Sequence, residues 1–266
     1  MTSSIPRVLT IAGSDSGGGA GIEADLKTMC ALGCYGMAAI TAVTAQNTLE
    51  VSAIHDIPPR DVAKQIEAVL SDLGADAIKT GMLSNCAIIE AVAETLEAAR
   101  AQNLVVDPVM ISKSGAALLR EDARQALIDR LLPLALLVTP NVPEAEAISG
   151  QTITNETGMR RAAEAILSLG PRHVLMKGGH LPGAEAVDWL FGPGVEQRYA
   201  SPRIETKNTH GTGCTFSSAI ACFIARGASV GDAVAQAKDY LNGAIAQALP
   251  LGKGHGPLNH MWNQSC

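Results

Sequence analysis

The chain has 266 residues, 47% of them apolar, 17% charged and only 3% aromatic, and its 20 Lys and Arg against 26 Asp and Glu leave a formal net charge of −6. At about 150 residues per domain the length allows one large domain or two small ones, with enough chain to bury a core. The acidic balance and the scarcity of Phe, Tyr and Trp argue against nucleic-acid binding, which relies on basic patches and stacking platforms.

Residues 8–12 (VLTIA) are a continuous apolar run of buried-strand type, and Gly13 is expected to break it. Residues 21–32 then read as a helix with Ile22, Leu26, Met29 and Leu32 on one face. Residues 35–45 are strand-like, and residues 51–57 alternate as in a half-buried strand. The uncharged stretch from Thr28 to Leu49 approaches the roughly 20 residues of a membrane helix. Gly33, Gly36, Thr41, Thr44, Gln46 and Asn47 interrupt it, so a helix end, a strand and a loop explain it better. The apolar run near the amino terminus is too short for a signal peptide, which predicts a cytoplasmic protein without a membrane anchor.

Pro58 and Pro59 punctuate, and Asp61 opens a helix with a stripe of Val62, Ile66, Val69, Leu70 and Leu73. Residues 77–82 form a strand ending in glycine, after which Ser84 is expected to cap a helix presenting Ile88, Ile89, Val92 and Leu96. Further strands are predicted at 104–109, 136–139 and 173–177, separated by helices around 120–131 and 156–169. Residues 186–191 and 195–199 read as a hairpin around Gly192-Pro193-Gly194, and helices over 213–226 and 230–249 follow.

Alternating strands and helices imply an α/β protein, a mostly parallel sheet between helices, read as a single domain over 1–266. Its ligand site should lie at the carboxyl ends of the strands. The six cysteines contain no C-x-x-C pair and read as reduced, mostly buried thiols, and the six histidines show no zinc-site spacing.

Four segments at strand ends offer chemistry. The run from Gly13 to Gly21 lets backbone N–H groups approach a ligand, although it fits neither the dinucleotide nor the P-loop spacing. Asn208 to Thr215 leads into a helix whose first amides, at Gly211, Thr212, Gly213 and Cys214, suit a transferring phosphoryl group. Cys214 at that helix start should have a thiol pKa below its free value of about 8.5; a small buried cysteine in a tight turn is the alternative. Asn141 and Glu144 have the residue types of a capping box, and on spacing alone the cap is preferred over a role at Mg²⁺. Lys177, before Gly178 and Gly179, is placed to neutralise nucleotide phosphates, and Asp107 offers a carboxylate for metal or for orienting groups; a solvated lysine and a polar strand end are the plainer readings.

Together these motifs, with Gly21–Thr28, Thr41–Thr48, Asp107–Met110, Lys177–His180 and the closing Gly256–His260, resemble the hydroxymethylpyrimidine/phosphomethylpyrimidine kinases of thiamine biosynthesis. The resemblance runs nearly end to end. It implies a ribokinase-like fold, a homodimer, and two successive phosphoryl transfers from MgATP, to 4-amino-5-hydroxymethyl-2-methylpyrimidine and then to its monophosphate. It places Gln46, Gly13, Asp25, Met82 and Val109 at the pyrimidine; Lys177, Asn141, Glu144 and Asn208 at ATP; and Glu144 and Asp107 at Mg²⁺. A carboxamide such as that of Gln46 suits a 4-aminopyrimidine edge, which pairs an amino donor with a ring-nitrogen acceptor. Cys214 stands where the wider superfamily has an aspartate base, and as a partial thiolate it would take the hydroxymethyl proton.

Two rivals follow. Pyridoxal kinases phosphorylate a hydroxymethyl on a related ring, but those specialised for pyridoxal carry a cysteine where this chain has Ser112, so pyridoxal is expected as a side substrate at most. A non-catalytic binding protein on the same fold would bind a pyrimidine without consuming ATP, and the joint presence of Cys214, Lys177, Asn141 and Glu144 argues against it. The length after His260 predicts no fused synthase domain.

Overall fold

The structure is a computed structural model that describes residues 5–111, 115–116, 118–120, 122–179 and 183–264. Its elements in chain order are β1 (Arg7–Asp15), α1 (Gly21–Ala31), β2 (Tyr35–Gln46), β3 (Val51–Asp56), α2 (Pro59–Asp72), β4 (Ala77–Thr80), α3 (Cys86–Ala98) and β5 (Leu104–Val106). There follow α4 (Ala123–Ala126), β6 (Leu137–Val138), α5 (Val142–Ser149), α6 (Glu156–Leu167), β7 (His173–Lys177), β8 (Glu185–Gly192), β9 (Val195–Pro202), α7 (Thr212–Ala225) and α8 (Val230–Ala246).

The strands form one sheet in the order β3-β2-β1-β4-β5-β6-β7-β8-β9. The six from β2 to β7 are parallel, while β3 at one edge and β8 and β9 at the other run antiparallel. Side chains of β1 alternate between two cores, as a strand covered on both faces requires. Leu9 and Ile11 join the core under α2 to α6, and Val8 joins the one under α1, α7 and α8. From β1 the chain steps out to β2 and β3, then returns to the other side of β1 as β4. Between β1 and β4 the winding direction reverses, and open α/β sheets form their ligand crevice at such a point.

Several expectations need correction. Strand β1 does not stop at Gly13; it continues to Asp15 through a register shift between Ala12 and Ser14. Asn85, not Ser84, caps α3, its side chain accepting from the Ile88 N–H at 3.0 Å. Ser84 has φ +64° and donates instead to Asp56. The strand expected over 104–109 ends at Val106, because Pro108 has no N–H to give a ladder and the Val109 N–H turns to the Asp107 carbonyl. The helix expected around 120–131 is one α turn that widens into a π turn at Leu127–Leu131 and tightens into a 3₁₀ turn at Leu132–Leu134. Among the described residues the five cysteines are free, and no helix is long and apolar enough to cross a membrane.

Candidate active site

The glycine loop after β1 is organised from within. Asp15 is buried, and its Oδ1 accepts the Gly17 N–H at 2.8 Å while Oδ2 accepts those of Gly19 at 3.0 Å and Ala20 at 2.9 Å. The same Oδ2 lies 2.7 Å from His210 Nε2. Amides that the sequence offers to a ligand are therefore taken by a carboxylate of the chain, and the loop forms a wall instead of a phosphate cradle. Burial alone would raise the Asp15 pKa, but His210 and the Gly17 and Ala20 amides hold it below its ordinary value. Glu23, in the first turn of α1, fixes the other side by accepting from Ser14 Oγ at 2.5 Å and the Asp15 N–H at 2.8 Å.

Gln46 ends β2 at the rim of this wall, its amide 3.2 Å from Thr44 Oγ1 and 3.4 Å from His210 Nε2. It shares a cavity with Gly13, Met82, Val109 and Cys214, about 390 Å³ including its open mouth. The space beside Gly13 is filled by Met82, whose Sδ would stand 3.0 Å from a Cβ there. This cavity lies at the carboxyl ends of β1 and β4, where the winding reverses.

Asp25 is not in the cavity wall. It is wholly buried behind it, accepting from Thr10 Oγ1 at 2.6 Å, Ser218 Oγ at 2.5 Å and Lys79 Nζ at 2.8 and 3.1 Å. A carboxylate so fully supplied with donors is stable away from water and serves as the counter-ion of a buried lysine. Lys79, also wholly buried, lines the cavity that Asp25 does not. Desolvation is the strongest influence and pulls its pKa down, but the charges around it, Asp25 foremost, together more than offset that, and the ammonium stays protonated.

Gly211 begins α7 at φ +81°, and a Cβ there would fall 1.8 Å from the Gly19 carbonyl oxygen, so only glycine lets the two loops meet. The Thr212 N–H turns to the Thr209 carbonyl and that of Thr215 to Gly211. The Gly213 and Cys214 N–H groups have no hydrogen-bond partner among the described residues. They form the free positive end of a fourteen-residue helix. The expected low thiol pKa of Cys214 is overturned: burial pushes it up to about 11, with Asp25 and Asp107 adding to the rise against Lys79 and the Gly21 amide. The resting sulfur is a neutral thiol.

Behind this helix end, Lys177 Nζ donates to Asp107 Oδ1 at 2.9 Å and lies 3.9 Å from Glu144 Oε2. A Cβ on Gly213 would stand 3.5 Å from Asp107 Oδ2 and 3.6 Å from Lys177 Nζ, so the helix start backs directly onto this pair. Asn141 and Glu144 form the capping box of α5, with reciprocal bonds of 3.0 and 2.8 Å. Burial, helped by Asp107 and opposed by Lys177 and Asn141, pushes the Glu144 carboxyl up to about 7. Asp107 is claimed by Lys177, Thr139 and Ser217, so it is not a free metal ligand. Among the described residues no group of three or more His, Cys, Asp or Glu is placed to hold a metal. The donor set suits an Mg²⁺ ion that arrives on phosphates and keeps its waters. Asn208 stands apart, its side chain against Gly256 of the closing segment.

The family model for phosphomethylpyrimidine kinase matches residues 15–259. The chain belongs to that family. It is 51% identical over 257 residues to the hydroxymethylpyrimidine/phosphomethylpyrimidine kinase of Streptomyces coelicolor, covering 97% of this chain and 95% of that one. It is 55% identical over 254 residues to a bifunctional thiamine biosynthesis protein of Geobacter sulfurreducens, covering 96% of this chain and 52% of that one. The chain thus spans about half the length of the Geobacter relative. Among solved structures, a phosphomethylpyrimidine kinase of Clostridium difficile superposes with TM-score 0.81 at 50% identity, covering 90% of this chain and 99% of that one. The Bacillus subtilis pyridoxal kinase bound to ADP superposes with TM-score 0.90 at 39% identity, covering 97% and 98%. The ribokinase-like fold expected of this kinase family is the fold observed.

Sequence reasoning passed over Lys79, Asp15, Thr44 and His210 as individual residues. For Lys79 the signal was present: a lysine inside a run of buried-strand type needs a partner charge, which Asp25 supplies.

Proposed function

We propose that this kinase transfers a phosphoryl group from ATP to the hydroxymethyl oxygen of 4-amino-5-hydroxymethyl-2-methylpyrimidine, and a second to the resulting monophosphate. The observation that carries this reading is that Gln46 and Cys214 line one cavity beside the open helix end of α7. Gln46 at the rim reads the amino group and ring nitrogen. Gly13, Met82 and Val109 enclose the ring. The Gly213 and Cys214 amides hold the moving phosphoryl, and Lys177 offsets the charge of the nucleotide phosphates. Glu144, with Asn141 beside it, would hold an Mg²⁺ carried in on the nucleotide, and that ion would supply charge neutralisation at the phosphates.

In the first transfer the hydroxymethyl oxygen bonds to the γ-phosphorus, the bond to the β-bridging oxygen breaks, and ADP leaves. The hydroxyl proton goes to water or to the new phosphate, because a thiol with its pKa near 11 is not a resting base. The loose transition state of phosphoryl transfer tolerates that, and Cys214 acts by positioning the oxygen. In the second transfer an oxygen of the monophosphate attacks, already deprotonated, and no base is needed. The protein acts as a homodimer, checked as a solution mass twice the 27.5 kDa of the chain.

Pyridoxal is the alternative acceptor, favoured by the close superposition on pyridoxal kinases; Ser112, which bears on this choice, lies outside the described residues. Competition between the pyrimidine alcohol and pyridoxal decides it. The proposed reading expects the larger kcat/KM for the pyrimidine, and a larger value for pyridoxal would reverse the assignment.

A further inference from the structure

Lys79 is the largest fully buried side chain of the protein and the mechanism above gives it no task. Its ammonium bonds only to the two oxygens of Asp25 among the described residues, so at least one of its three N–H groups has no acceptor. Asp25 is held from three directions: by Thr10 on β1, Ser218 on α7 and Lys79 on β4. Gly81 leaves the room the ammonium needs, since a Cβ there would stand 2.8 Å from Nζ. The lysine lines the cavity and the aspartate does not. The pair is therefore a buried dipole with its positive end toward the cavity.

The cavity gives that charge a meaning. Gln46, beside His210, takes the heterocycle, whereas Lys79 and Cys214 line the same cavity, and the substituent to be phosphorylated must reach Cys214 at the start of α7. In the first transfer that substituent is a neutral alcohol. In the second it is a phosphate carrying about −1.5 to −2 charges at neutral pH, if its second pKa is near 6. A fixed cation in a site shielded from water discriminates strongly between those two acceptors. The other buried ion pair close to Cys214, Asp107 with Lys177, is already matched within the chain.

We propose that Lys79 is the specificity-determining residue for the second acceptor, its Asp25-held ammonium favouring a phosphate-bearing substrate over the neutral alcohol. This rests on the two-step reading above, and its test separates the two. A merely structural buried pair would affect both transfers alike. Lys79 as a selector affects them unequally.

The experiment compares wild type with the double variant Asp25→Asn/Lys79→Met, which removes both charges and leaves neither stranded. The readout is kcat/KM for the alcohol and for its monophosphate. The ratio of monophosphate to alcohol is expected to fall by roughly tenfold or more, the low end of what an opposite charge within ~4–6 Å does to a buried ionised group. Equal losses on both acceptors, or an unchanged ratio, overturn the proposal while leaving the two-step activity standing. If wild type phosphorylates neither acceptor, the reading of the function fails instead. A second measurement needs no variant: a structure of wild type with the monophosphate and a non-hydrolysable ATP analogue. The acceptor phosphate is expected beside Lys79 and Cys214, and a phosphate beside Gln46 instead refutes the assignment even if the double variant does not fold.

Discussion

Replacing Asp15 by asparagine removes one charge and tests whether this carboxylate organises the pyrimidine side of the cavity. Four donors converge on it: the Gly17, Gly19 and Ala20 amides and His210 Nε2. Asparagine keeps one acceptor oxygen and turns an NH₂ group toward at least one of those donors. A hydrogen bond to a charged partner is worth about 1.5–3 kcal/mol and a neutral one about 0.5–1.5, so weakening this cluster should cost roughly 3 kcal/mol. At about 2–4 °C per kcal/mol for a chain of this size, Tm should fall by roughly 6–12 °C. The sign with pH is fixed as well. The folded Asp15 pKa lies below its unfolded value, so its stabilisation is complete above the ordinary carboxylate pKa of about 3.9 and is lost as acid titrates through the lower folded value. His210 loses its anchor beside Gln46, so the KM for the pyrimidine should rise several-fold with the KM for ATP little changed. Differential scanning fluorimetry and steady-state kinetics on Asp15→Asn measure both effects. A Tm within about 2 °C of wild type with an unchanged pyrimidine KM would refute the reasoning, since it would mean that the loop holds its shape without the carboxylate.

Gln46→Ala should raise the KM for the pyrimidine by about 5–150-fold, the equivalent of the ~1–3 kcal/mol of a bidentate amide contact, and a smaller change in a direct binding assay would remove Gln46 from the ring. Cys214→Ala should lower kcat only about tenfold, because the thiol is neutral at rest; a loss of 10²–10⁴, the range of a working general base, in single-turnover measurements would contradict that assignment. Asn141→Ala breaks the capping box of α5 and should cost about 1 kcal/mol, read as a lower Tm, with no change in Tm counting against the cap. His260 is buried with Thr215 Oγ1 3.0 Å from its Nε2, and desolvation with the nearby Lys27 pushes its pKa down to about 4. The unfolded chain therefore binds the extra proton first, and denaturant titrations should show stability flat above about pH 6.5 and falling toward pH 4, a slope that His260→Gln should reduce.

The sequence pattern made the layered architecture legible because long parallel strands and two-sided burial impose continuous apolar runs, as in β1 and β7. Where local chemistry competes, the pattern was weaker. Ser84 and Asn85 are both good caps, and only the contact of Ser84 with Asp56, from β3, decides which one serves α3. Asp25 shows the same limit within the site: the family resemblance implied substrate contact, whereas its buried setting comes from Lys79, 54 residues on, and from Ser218, 193 residues on. The Cys214 thiol shows it again. A helix start lowers a cysteine pKa in water, but here burial outweighs the helix end, and the burial comes from elements far away in the chain. Local pattern pointed to Lys177 and the α7 start, and the family resemblance to Gln46, Met82 and Val109, which with Cys214 line one cavity. The charges that govern them are non-local.

The most direct measurement is phosphorus NMR of purified protein with ATP, Mg²⁺ and 4-amino-5-hydroxymethyl-2-methylpyrimidine. The account predicts a pyrimidine monophosphate resonance that rises first and then gives way to the paired resonances of a diphosphate, with ADP formed in step. ATP left intact beside a bound pyrimidine, or ADP formed with no phosphorylated pyrimidine, would contradict it.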